Sequence, residues 1–119
     1  MDTIFALATA PGKAGVAVIR ISGPDAFAVG KVLAGSVPAP GEARLRSLSD
    51  GQGAHLVDGL VLAFQAPHSF TGEDVVELQT HGSPATVKAV LAEISGTRLA
   101  RMAEPGEFTR RALDNDRMD

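Results

Sequence analysis

The chain contains no cysteine, no tryptophan and no tyrosine. Without cysteine there can be no disulfide and no thiolate-based metal site. With aromatics at only 4%, a core has to be built from Val, Leu, Ile and Ala around five Phe. No apolar run approaches the ~18 residues of a membrane-spanning helix. Clustered Lys and Arg are also missing, and the formal net charge is −3. A general nucleic-acid surface is therefore not expected.

Several catalytic signatures are absent too. There is no His-Glu-x-x-His pair and no Gly-x-Ser-x-Gly elbow. Gly12-Lys13 is not a phosphate-binding loop, because Ala14 replaces Ser or Thr and no Gly stands five residues before Gly12. His55, His68 and His81 have no partner at ligand spacing, so no metal site is assigned. His81, beside Gly82, could line a pocket. No nucleophile–base pair is visible, and no catalytic residue is assigned. The start, MDTIFALATAPG, has an acid at position 2 and no basic segment, unlike a secretory signal. The expectation is a cytoplasmic protein.

What is present is a globular composition. Apolar residues make up 45% of the 119, enough for one domain spanning 1–119. A chain of this size buries about two-thirds of its unfolded surface and can fold alone.

Turn signals divide the chain into nine elements. Thr3–Thr9 is a short apolar run stopped by Ala10-Pro11-Gly12, and reads as a strand. Val16–Ser22 is β-branched and apolar on both faces, which predicts a central strand of a covered sheet. Pro24-Asp25 opens a helix over Ala26–Leu33, and Gly35 stops it. Arg44–Leu48 and Leu56–Phe64 read as paired strands, with Asp50-Gly51 as a hairpin-type turn. Asp74–Thr80 is a strand ending at His81-Gly82. Ser83-Pro84 is a good cap and first-turn pair for a helix reaching Ile94, ended by Gly96. Arg98–Met102 reads as a short strand, and Glu107 to about Asn115 as a last helix. The order is β-β-α-β-β-β-α-β-α. It predicts an α+β two-layer domain: a mixed β-sheet of five to six strands with about three helices packed on it.

Two charges interrupt the strands. Arg20 lies in VAVIRIS, on the face of Val16 and Val18. Glu77 lies in DVVELQ, between Val75 and Gln79 on its own face. A charge on a covered strand is costly unless paired or used for a ligand. The residues alone leave both readings open: an Arg20–Glu77 salt bridge, or a ligand site. In PGEFTRR (Pro105–Arg111), Glu107 and Arg111 are four apart and read as helix-surface pairing. Arg117 lies beyond that helix end, where surface pairing explains it poorly.

Three stretches carry a resemblance: DTIFALATAPGKAGVAVIRISGPDA, FTGEDVVELQTHGSP and PGEFTRRALDNDRMD. In this order and spacing the chain resembles the N-terminal domain of the MnmE (TrmE) family of tRNA-modification GTPases. Ala28–Gln52 matches only loosely.

The resemblance implies a fold like the folate-binding part of the glycine-cleavage T-protein. It implies a tetrahydrofolate derivative (5-formyl or 5,10-methylene) as cofactor, and a homodimer formed through this domain. Full-length members would also carry a helical domain and a GTPase domain, which binds GTP, Mg²⁺ and K⁺. Ending where that helical domain would begin, the chain looks like a fragment lacking GTPase activity. With the flavoprotein MnmG (GidA), the full protein would add a carboxymethylaminomethyl group to C5 of uridine 34 in certain tRNAs. Folate contacts carry over to Arg20, Glu77 and Arg117. The last stands where the family usually has Lys in an Asn-Gly-Lys-like segment, and Asp116 stands for its Gly. Similarly, Ser83 stands for a Gly common after His81-Gly82.

A pterin edge presents two adjacent N–H donors that a carboxylate such as Glu77 can accept, and an anionic glutamyl tail suits Arg20 or Arg117. The other reading, from a different class, is a structural dimerisation or assembly module with no ligand.

Overall fold

A computed structural model describes residues 2–9 and 15–117. Gly12-Lys13 and its loop lie outside the described residues. The nine elements follow in the expected order: strands β1 (Ile4–Leu7) and β2 (Val16–Ser22), helix α1 (Ala26–Ala34), strands β3 (Ala43–Ser49), β4 (His55–Phe64) and β5 (Val75–His81), helix α2 (Pro84–Gly96), strand β6 (Arg101–Met102) and helix α3 (Glu107–Asp114).

The strands form one mixed sheet, ordered β3-β4-β5-β2-β1-β6. Only β1 and β6 run parallel, and the other neighbours are antiparallel. The β2 strand is central, as its composition predicts. One face, carrying Phe5, Ile19, Ile21, Val61, Val76 and Leu78, packs on Ala26, Val29 and Leu33 of α1 and Val90 and Ile94 of α2. All these side chains are buried, and a fully buried Ile, Leu or Val contributes about 1.5–3 kcal/mol. The core is thus complete within the described residues.

The opposite face corrects the sequence reading of β2. Apolar residues on both faces suggested cover on both sides. Yet Val16, Leu45 and Leu60 on this second face are exposed, while Val18 is half-buried. Among the described residues, cover reaches only one end of it, where Ile4, Ser22 and Val75 are buried. There the β4–β5 loop (65–74) and α3 close over the sheet. Arg20 and Glu77 stand at the border of that cover.

The β3–β4 hairpin turns through residues 50–54, within the stretch left between the two expected strands, with Asp50-Gly51 at its start. Asp50 Oδ1 accepts the N–H of Gln52 and of Ala54, and the left-handed residue is Gly53 (φ 85°), not Gly51. At α2, Ser83 occupies the cap position and Pro84 the first turn, but the Ser83 side chain caps no N–H.

Candidate functional site

The strand register alone brings Arg20 and Glu77 together, since they are directly opposed across β2 and β5. Arg20 Nε donates to Glu77 Oε2 at 3.1 Å, and their side chains keep 24% and 16% exposure. Both readings of the sequence thus remain: the salt bridge is real, and it is not sealed from solvent. Two rings flank the guanidinium, with Phe70 centred 5.0 Å away and Phe108 6.0 Å away. Such contacts hold a planar cation flat at about 0.5–1 kcal/mol each. Among the described residues, Glu77 Oε1 has no protein donor.

Beside this pair opens a cavity of about 420 Å³, lined by Phe64, His68, Ser69, Phe70, Val75, Glu77 and Arg117. Phe70 is 44% exposed. This is a concave, partly apolar site with few polar groups, of the kind that takes a small ligand.

Arg117 reaches the cavity because of how α3 ends. The N–H of Arg117 donates to Ala112 O, and that of Asp116 to Leu113 O, with Asp116 left-handed at φ 57°. This is a Schellman turn, a helix stop that normally favours Gly at the left-handed position. Asp can adopt that conformation at some cost, and Asp116 does so here. Arg117 Nε then donates to Ser69 O at 3.1 Å. All three residues singled out by sequence therefore converge on one site.

Comparison with known proteins places the chain in a family. A family model described as "GTP-binding protein TrmE N-terminus" matches residues 3–117. The chain belongs to this family. It is similar to the tRNA modification GTPase MnmE of Dinoroseobacter shibae, at 60% identity over the whole chain and 28% of that relative. The MnmE of Jannaschia sp. is 62% identical over the same shares, and that of Halorhodospira halophila 55% identical over 99% of the chain and 25% of that relative. The chain thus spans about a quarter of the length of these curated relatives.

One part of this TrmE-type domain was misread from sequence. Arg111 reads as a helix-surface residue paired with Glu107, and that pair exists at 3.4 Å. But Arg111 is only 5% exposed. Its Nη1 donates to both oxygens of Glu73, at 3.1 and 3.2 Å, and to Asp2 O. Its Nη2 donates to Asp2 Oδ1 at 2.7 Å. Glu73 in turn accepts from Ser22 Oγ at 2.7 Å. Ser22 has spent its proton there, so Thr71 Oγ1 is the donor in the 2.7 Å contact between the two hydroxyls. Arg101 joins Asp2 to Glu107 at the rim. Its guanidinium holds both carboxyls well below their usual range, each at about 2. The same contacts push Arg101 further up.

Of the three histidines, His68 lines the cavity and the other two fall elsewhere. His81 lines a second, shallow hollow of about 380 Å³ with Val16, Leu45, Asp58 and Leu60. His55 pairs with Asp58 at 2.9 Å. No group of acids and histidines among the described residues could hold a metal ion.

Proposed function

We propose that this chain is the folate-binding, dimerising N-terminal part of a tRNA-modification GTPase. The observation that carries the folate reading is Glu77. A charged carboxylate on an apolar strand lines the cavity and is held by Arg20 through one oxygen, while the other has no protein donor among the described residues. That free oxygen, with the bound one, suits the paired N–H donors of a pterin edge. Phe70 offers a ring face and Arg117 a cation for an anionic tail. When bound, the folate supplies the one-carbon unit, and these residues bind and orient it.

GTP hydrolysis, with Mg²⁺ and K⁺, belongs in this proposal to parts of the protein beyond these 119 residues, which alone hydrolyse no GTP. The partners are the flavoprotein MnmG and tRNA, with uridine 34 as the modified base, in the cytoplasm. Titration with 5-formyltetrahydrofolate tests the folate reading. Binding that disappears in Glu77→Ala supports it, and an absence of binding heat by the parent chain sinks it.

A second reading, a purely structural assembly module, draws on the exposed Val16, Leu45 and Leu60 of the uncovered sheet face. Sedimentation separates the two. A dimer indifferent to folate and broken by Arg20→Ala favours assembly alone.

A further inference from the structure

Arg117 is exposed and follows the last helix, so something must fix it at the cavity. The contacts single out Gly72 and Asn115. Gly72 sits in the 65–74 loop with φ +81°. A Cβ there would lie 2.7 Å from Asn115 Cβ and 3.0 Å from Arg117 Cγ. Such distances require a shift, and the neighbours concerned are close to the backbone. Asn115, in turn, donates through Nδ2 to Thr71 O and to Arg111 O, both at 2.9 Å. One amide thus ties the loop to the end of α3. Thr71 is fully buried and anchored on Ser22, so the loop side of the tie is fastened to the sheet.

We infer that Gly72 and Asn115 are positioning residues: they interlock the β4–β5 loop with the α3 terminus and so set Arg117 over the ligand cavity. The missing side chain at Gly72 lets the Arg117 stem cross the loop. The Asn115 amide sets how far the Schellman turn swings. Arg117 Nε then finds Ser69 O on the same loop, and among the described residues its other side-chain N–H groups have no partner, which suits them to a ligand anion. Neither positioning residue lines the cavity. Their effect on binding is thus indirect, and the inference assigns it to Arg117 rather than to His68, Ser69 and Phe70, the lining residues of the same loop.

The inference rests on the folate reading only for its choice of probe. The test is a double-mutant cycle read by titration with 5-formyltetrahydrofolate, with Arg117 Nε–H resonances recorded without ligand. Gly72→Ala and Asn115→Ala should each weaken binding about tenfold in the parent. In an Arg117→Ala background each should change it less than twofold, because the route has been removed. Without ligand, both variants should shift the Arg117 Nε–H signal to that of a free arginine. Equal losses in both backgrounds, or an unmoved Arg117 signal, overturn the inference. If the parent binds no folate, the functional reading fails, and the Arg117 signal alone decides for or against the lock. Should Gly72→Ala not fold, Asn115→Ala carries the test, since it removes two hydrogen bonds and adds no bulk.

Discussion

Two charged clusters lie on the same side of the sheet, and they are built to different plans. Around Arg111, one nearly enclosed guanidinium is shared by Asp2, Glu73 and Glu107, and Glu73 is further held by Ser22. At Arg20 and Glu77 there is a single ion pair, partly open to solvent, beside a cavity. The first cluster has its hydrogen-bonding capacity spent on three segments distant in sequence: the N-terminus, the 65–74 loop and α3. The second has capacity in reserve. A charge fully used by its neighbours is a fastening, whereas a charge with a free acceptor at a cavity can meet a ligand. The sequence pointed the other way: Glu77 stands out in an apolar strand, whereas Arg111 sits in the charged run of α3 and looks like an ordinary surface residue.

The largest effect that separates the clusters is on stability. Arg111→Met should destabilise the fold by about 3 kcal/mol, because Glu73 keeps its charge in a nearly enclosed place without its partner. Denaturant unfolding reads this, and a loss near zero would make the Arg111 cluster as dispensable as a surface pair. The converse holds at the other cluster. Glu77→Ala should cost less than about 1 kcal/mol of stability, since the pair is partly solvated. It should weaken folate binding by about thirtyfold or more. A strong loss of stability with little change in binding would exchange the roles assigned to the two.

A smaller effect concerns the turn that delivers Arg117. Asp116→Gly should raise stability by about 0.5–1 kcal/mol, because glycine takes φ 57° without strain. A lower melting midpoint would show that the Asp116 side chain contributes something the turn needs. The smallest effect is on the acid side. Asp2 and Glu107 titrate near 2 in the folded chain, below the 3.8 and 4.5 of free carboxyls. Their contribution is present above about pH 4.5 and is lost as pH falls towards 2. Both face Arg101 at the rim, so the loss should be shallow and reduced by salt. A stability curve flat between pH 4.5 and 2.5 would contradict these pairs.

The order of the nine elements was legible because each run is bounded by its own Gly, Pro or Asp signal. The pairing of Arg20 with Glu77 was legible as one of two options, since both interrupt strands of clear period. Arg111 was not. Its i,i+4 neighbour Glu107 offered a sufficient local partner, while the residues that bury it, Asp2 and Glu73, lie 109 and 38 positions away. Tertiary folding alone brings them together. The open sheet face was missed for a related reason: Val16 and Val18 make β2 apolar on both sides, but only two helices are available to the core, and both pack on the other face. Gly72 gave no signal either, because a glycine in a loop states its freedom and not which neighbour needs the space.

The central claim is that the Arg20–Glu77 pair and its cavity form a ligand site rather than another fastening. Calorimetric titration of 5-formyltetrahydrofolate into the parent and into Glu77→Ala addresses it most directly. The account predicts saturable binding by the parent and its loss in a variant that melts within a few degrees of the parent. Equal binding by both proteins, or none by a well-folded parent, would contradict it.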